Sequence, residues 1–370
     1  MTYEIILDKT KHLSHVDQFS LVTGAKIKFE ANKAGTLTFT MLPDNTYYHD
    51  VVIHNTIADL YINGEFRFRG IAVSESIDFY KRKKLTFTGV LGFLNESVQR
   101  PAVYNDSLTN VLNAYITVHN GQMDKDNRKF QNVVVSGFSG AGTLYRFTNY
   151  NETLTEMMDD FVDNFGGYFW VTTYPDTDEN TLVYTDSPLQ VSTQEIRIGS
   201  NLVDFVRENS TDGVVTRLIP VGAELDTETV PGIKDHVTIS SVNGGLDYVE
   251  GNTAAAWYGN IWKVVKWDNI TTPSALLSRA NDYIIAAQWA LQTIEASAVD
   301  LGLAEQTVDQ LHLLDSIRVI STPHALDQYF TLTKLEIDLD HPGNSQITLG
   351  DSSIVVLSDQ VADNSRKVAK

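Results

Sequence analysis

Two runs of alternating apolar and polar residues, Ile57-Ala-Asp-Leu-Tyr-Ile62 and Glu65-Phe-Arg-Phe-Arg-Gly-Ile71, are separated only by Asn63-Gly64. Both central residues of a two-residue hairpin need positive φ, which asparagine and glycine tolerate, so the two runs fold back on each other as antiparallel neighbours. Thr36-Leu-Thr-Phe-Thr-Met41 alternates in the same way. Ser74–Tyr80 returns through Lys81-Arg-Lys-Lys84 to Leu85-Thr-Phe-Thr-Gly89 as a second hairpin. Residues 1–97 therefore read as a small twisted β-barrel-like domain.

The period then changes. Leu108, Val111, Leu112, Tyr115 and Ile116 recur at helical spacing behind Ser107, a good N-cap. Thr153 and Glu156 have capping-box spacing ahead of Leu154, Met157, Phe161 and Phe165, and Gly166-Gly167 ends that helix. Tyr168-Phe-Trp-Val171 and Thr181-Leu-Val-Tyr184 make a hairpin around an acidic turn, so residues 98–192 read as an α+β domain. Strands resume at Glu195–Ile198 and Val214–Val221. Thr272-Pro273 opens a helix carrying Leu276, Leu277, Ala280, Tyr283, Ile284 and Ala287, and Thr293–Leu301 reads as a strand. The expected organisation is β-rich α+β. Residues 193–225 and 290–357 form a second β-barrel-like domain, residues 226–289 an inserted α+β domain, and residues 358–370 a polar tail or linker.

A repeat emerges from this reading. Asp59–Ile62, Phe66–Ile77 and Leu85–Gly89 form a strand-turn-strand-turn-strand run ending in glycine. Ile317–Ile320, Phe330–Leu339 and Gln346–Gly350 form another of similar lengths. Either these are two unrelated meanders, or the chain holds two copies of one β unit with a different excursion attached to each.

Composition narrows the function. Of 370 residues 42 % are hydrophobic and 20 % charged, which supports packed cores and excludes wholesale disorder. The net charge of −19 repels phosphate, so nucleic-acid binding driven by counterion release is not expected. With no cysteine there is no disulfide, thiolate metal site or cysteine nucleophile. Apolar stretches such as Tyr283–Ala287 are far shorter than the roughly 20 residues of a membrane helix, and the N-terminus lacks a basic, signal-like start.

The motifs that could carry chemistry are near misses. No histidine is followed by glutamate, and the closest pair, His12 and His15 with Asp17 nearby, reads as solvated rather than metal-bound. Gly137-Phe-Ser139-Gly-Ala141 approaches a nucleophile elbow, but Ala141 stands where tight packing demands glycine. Asp124-x-Asp126-Asn127 begins like a calcium loop, yet Val135 occupies the position of the bidentate glutamate. The acidic turn Asp176-Thr-Asp178-Glu179 is a better spot for adventitious calcium, but reads as a solvated hairpin tip. Trp257, Trp262 and Trp267, with Tyr258, read as core aromatics, the other reading being a sugar-stacking platform. Lys81–Lys84 reads as a solvated turn, or else as a docking contact for an acidic partner. No catalytic, cofactor-binding or metal residues are assigned, and no cofactor is expected.

Several stretches in order resemble one family. They are Asn32-Lys-Ala-Gly-Thr-Leu-Thr-Phe-Thr40, Gly64-x-x-x-Phe-Arg-Gly70, Asp78-Phe-Tyr-Lys-Arg-Lys-Lys84 and Gly92-Phe-Leu-Asn-Glu-Ser-Val-Gln-Arg-Pro101. Gly166-Gly-Tyr168, Leu218-Ile-Pro-Val-Gly222, Thr238–Asn243, Tyr258-Gly259, Asp315-x-x-Arg-Val-Ile-Ser321 and Leu332-Thr-Lys-Leu335 follow. Together, over about residues 1–352, they resemble the "prophage endopeptidase tail" family, the hub region of siphophage tail-associated lysins. The resemblance implies a baseplate-hub-like fold and a homotrimer whose two barrel-like domains per chain match a hexameric tail ring around a DNA passage. It implies the distal tail protein ring, the tape-measure protein and receptor-binding or baseplate proteins as partners. The expected location is the virion tail tip, after assembly in the host cytoplasm. Peptidase activity would reside in a C-terminal extension beyond Lys370, so this chain is expected not to be an enzyme. A peptidoglycan hydrolase and a carbohydrate-binding adhesin are the competing readings.

Overall fold

The computed structural model describes residues 1–350 except 139–142, 211–212, 269, 289–290, 299, 305–307 and 325. Ser139 and Ala141 of the elbow-like sequence, and the 358–370 tail, lie outside the described residues. Two compact units result: residues 1–207 with 293–350, and residues 208–292.

The first unit opens with β1 (Tyr3–Leu7), β2 (Lys11–Leu13), β3 (Val22–Glu30), β4 (Thr36–Met41), β5 (Ile57–Ile62), β6 (Glu65–Ile77) and β7 (Lys83–Gly89). The β5–β6 turn is the one the sequence dictates, with Asn63 at φ 51° and Gly64 at 84°. Alternation buries one face: Leu37, Phe39 and Met41 of β4 and Leu85 and Phe87 of β7 are inaccessible, with Phe39 stacked on Phe87 at 5.4 Å.

An excursion follows: β8 (Ala102–Ser107), α1 (Leu108–Gln122), β9 (Asn132–Ser136), β10 (Thr143–Thr148), α2 (Thr153–Met157), α3 (Asp163–Phe165), β11 (Tyr168–Tyr174) and β12 (Glu179–Thr185). Ser107 caps α1 as expected, its Oγ accepting the Asn110 amide at 3.3 Å. Thr153 does not cap its helix. Its hydroxyl is spent on buried Ser97 and Gln99, at 2.7 and 2.9 Å, and Glu156 instead accepts the Asn149 amide and the Asn151 side chain, each at 3.0 Å. A π-helical turn, Met158–Val162, links α2 to α3 and turns Asp160 and Phe161 inward. There Asp160 accepts the Tyr115 hydroxyl and lies 3.3 Å from Arg146. Burial pushes its carboxyl up to about 6, the Tyr115 and Arg146 contacts opposing that only in part.

Then come β13 (Gln190–Val191), β14 (Ile196–Arg197) and β15 (Leu202–Ser210). The second unit holds β16 (Arg217–Val221), β17 (Val249–Glu250), α4 (Asn252–Tyr258), β18 (Trp262–Lys266) and α5 (Pro273–Ala287). Its core is Leu218, Ile239, Leu276 and Ala280, all inaccessible, with Trp267 edge-on to Tyr283 at 5.8 Å. The chain returns through β19 (Leu291–Ala298), α6 (Leu301–Ala304), β20 (Asp315–Ser321), β21 (Leu326–Asp338) and β22 (Gln346–Leu349).

The main sheet repeats one strand order. Its first half runs β3-β4-β7-β6-β5-β1; its second runs β15-β19-β22-β21-β20, with β13 and β14 along β20. In chain order β1, β3, β4, β5, β6 and β7 answer to β13 with β14, β15, β19, β20, β21 and β22. The long central strands β6 and β21 both have 13 residues. Each carries a bulge at the same place: β6 slips against β7 between Ala72 and Ser74, and β21 against β22 between Leu332 and Lys334. One departure is that β1 meets β5 antiparallel while β13 and β14 meet β20 parallel. The β-rich α+β class expected from sequence is the one observed, with one adjustment. The repeated units are not closed barrels but halves of one open sheet whose path ends at β15 and β2 among the described residues.

Candidate assembly surface

The two halves are joined through the backbone. The second half of β21 pairs antiparallel with β3, from Lys334 opposite Glu30 to Asp338 opposite Lys26. Ala31 N donates to Thr333 O at 2.8 Å, and Leu339 N to Ala25 O at 2.9 Å. Side chains clasp the seam: Asp340 accepts Tyr3 Oη at 2.7 Å and Gly24 N at 2.6 Å, and Lys26 reaches Asp338 at 3.1 Å. Under this cover Leu335 and Ile337 are buried.

The equivalent stretch of β6 is bare. Aligning the bulges sets Ser74–Ile77 where Lys334–Ile337 stands, and all four β6 residues are exposed. Ile77 is 53 % accessible where Ile337 is 0 %. Asp78 N donates to Arg82 O at 3.1 Å, so by alternation the amides of Ser76 and Ser74 also face β7, while those of Glu75 and Ile77 point to the open edge. Among the described residues no strand but β7 pairs with this segment.

The β6–β7 turn is rigid. Asp78 accepts the amides of Tyr80 and Arg82, both at 2.9 Å, and Arg82 Nε at 2.7 Å, with Lys81 held at φ 59°. It lifts Phe79 into solvent at 92 % accessibility. The expected solvated basic run is only partly so. Lys83 is buried, its ammonium donating to Tyr48 O at 2.6 Å, lying over the Tyr48 ring and pairing with Glu75 at 3.5 Å.

Behind this sheet a charge network ties the β11–β12 turn to β6. Arg69 donates from Nε and Nη2 to the two oxygens of Asp59, its partner across β5, both at 2.6 Å. Its Nη1 reaches Asp178 at 2.7 Å, and Lys9 meets the other Asp178 oxygen at 2.7 Å. Against the burial that disfavours charge, the two carboxylates hold the Arg69 guanidinium above its ordinary value. The acidic turn is therefore no free tip: Asp178 is engaged by Arg69 and Lys9.

The remaining sequence candidates are dispersed. His12 Nδ1 lies 2.6 Å from Glu4, His15 stacks on Tyr3 at 4.6 Å, and Asp17 accepts the Ser20 hydroxyl at 2.6 Å. Asp126 pairs with Lys129 at 2.8 Å, and Val135 lies within β9. Among the described residues no group of acidic and histidine side chains is placed to hold a metal ion. The tryptophans need a correction: only Trp267 is core, while Trp257 is 79 % and Trp262 49 % accessible. Trp262 lies on the outer face of β18, where the Arg217 guanidinium sits 5.1 Å from its ring.

This geometry has counterparts among known proteins. Residues 190–356 match the profile of the prophage endopeptidase tail family. No curated protein sequence matches significantly. The tail protein from Neisseria meningitidis MC58 is similar with a TM-score of 0.64 at 14 % identity, over 97 % of this chain and 99 % of that one. Prophage tail protein gp18 from Listeria monocytogenes EGD-e gives 0.60 at 14 % identity, over 98 % and 99 %. The E. coli c3393 protein gives 0.51 at 10 % identity, over 94 % of this chain and 75 % of its own; it is a type VI secretion component described as structurally similar to T4 tail proteins gp27 and gp5. The resemblance read from sequence, to prophage tail proteins with a baseplate-hub-like fold, is thus borne out.

Proposed function

We propose that this chain is a structural hub of a phage tail tip, three copies of which surround a channel and present six similar β units to a hexameric tail ring. The carrying observation is the strand order repeated in one polypeptide, β3-β4-β7-β6-β5-β1 and β15-β19-β22-β21-β20. A threefold assembly can face a sixfold ring on equal terms only if each subunit offers two like surfaces, and closed rings are the common solution for oligomers. The shared fold with prophage tail proteins supports this reading. So does the charge of −19 per chain, since a passage rimmed with carboxylates lets DNA slide without adhering. On this reading each half-sheet is one hub domain, with its excursion a separate α+β domain attached to it. The partners are the distal tail protein ring, the end of the tape-measure protein and receptor-binding or baseplate proteins, within virions assembled in the host cytoplasm.

The role is architectural rather than catalytic. The expected result for the purified chain is a native mass three times 41.2 kDa and no clearing of peptidoglycan in a zymogram. Clearing by this chain would replace the architectural role with hydrolysis, and a strictly monomeric protein would remove the hub.

A further inference from the structure

The two central strands stand in the same environment but for one neighbour. β21 has β20 along its first half, β22 on one side of its second half and β3 on the other. β6 has β5 along its first half and β7 on one side of its second half, and the place answering to β3 is empty among the described residues. The repeat also says which strand answers to β3. It is β15, which stands first in its half-sheet, lies next to β19 as β3 lies next to β4, and pairs with no second strand among the described residues, only its first residue, Leu202, bridging to Ile198.

Resting on the threefold reading above, we propose that the open edge of β6 in one copy receives β15 of a second copy as an antiparallel strand, just as β21 receives β3 within the chain. The amides and carbonyls of Glu75 and Ile77 then bond β15 as Leu335 and Ile337, by the same alternation from Leu339, bond β3. Ile77 gains the cover that Ile337 already has. Proceeding around the ring, β21–β3 seams within chains alternate with β6–β15 seams between chains. The direction is always central strand to first strand, so the contact is head-to-tail, and on the threefold reading its rotation closes into a ring. Closure also disposes of two strand edges that would otherwise invite uncontrolled pairing.

Glu75→Pro tests this contact, with Glu75→Ala as the control for loss of the Lys83 ion pair. Proline removes one of the two amides that face the open edge and leaves the bonds to β7 in place, the position at which an edge strand accepts proline. The expected outcome is an unchanged far-ultraviolet spectrum with self-association weakened on the order of a hundredfold. In wild-type protein, hydrogen exchange at 74–78 and at 202–210 is expected to slow together as the trimer forms. A trimer in which both segments exchange as fast as in dilute monomer, or a Glu75→Pro protein that trimerises like wild type, overturns the β6–β15 seam and leaves the hub standing. Protection of 74–78 without 202–210 assigns the edge to another strand and likewise overturns the seam. A wild-type chain monomeric at every concentration removes both. The exchange measurement needs no variant, so a failure of Glu75→Pro to fold does not blunt the test.

Discussion

Replacing Arg69 with methionine is expected to lower unfolding free energy by about 3–5 kcal/mol, the cost of stripping one partner from a buried ion pair. The Arg69 and Asp59 side chains are 2 % and 6 % accessible, and Asp59 has both oxygens committed to the guanidinium. With Arg69 gone, a carboxylate stays in the sheet interior without compensation, and Asp178 loses one of two cations. Truncating both partners, as Asp59→Leu with Arg69→Met, is expected to recover much of that loss, because no orphan charge remains. Urea unfolding followed by tryptophan fluorescence reads both. A single-variant loss below about 1 kcal/mol would mean that the pair is solvated and contributes as little as surface bridges do.

The second large effect is a pH slope from Asp160. Its carboxyl, raised to about 6 in the folded chain, titrates near its ordinary value of about 3.9 once unfolded. Between those values the folded state binds the extra proton, so this group's contribution is complete below about pH 4 and is lost as pH rises through 6. At about 1.36 kcal/mol per pH unit the expected loss from pH 4 to 7 is on the order of 3 kcal/mol. Asp160→Asn cannot titrate. The stability difference between wild type and this variant should therefore change by that amount across the same interval. A difference that stays constant from pH 4 to 7 would show that the Arg146 and Tyr115 contacts keep Asp160 ionised throughout.

Local chemistry made the turns and helices legible. Asn63-Gly64, Ser107 ahead of α1 and Thr272-Pro273 ahead of α5 each state their conformation within a few residues, and each is found as read. The repeat was legible as lengths alone, because β5–β6–β7 and β20–β21–β22 alternate in the same rhythm. What joins the halves was not. Lys334 meets Glu30 across some three hundred residues, and nothing near either one announces the other. The Arg69 network was hidden by one residue. Counting back evenly from the Asn63-Gly64 turn sets Asp59 opposite Phe68, and only the slip between Leu60 and Tyr61 brings it to Arg69. For the tryptophans the spacing of five gives no face: Trp262 falls on the outer side of β18, and Trp267 lies beyond the strand and in the core.

Three chains are expected to imitate a sixfold ring. Electron images of the purified assembly, viewed down its axis and averaged without imposed symmetry, are expected to show six similar densities around a central opening, alternating between two slightly different kinds. Three isolated lobes, or a twofold particle without an opening, would contradict it.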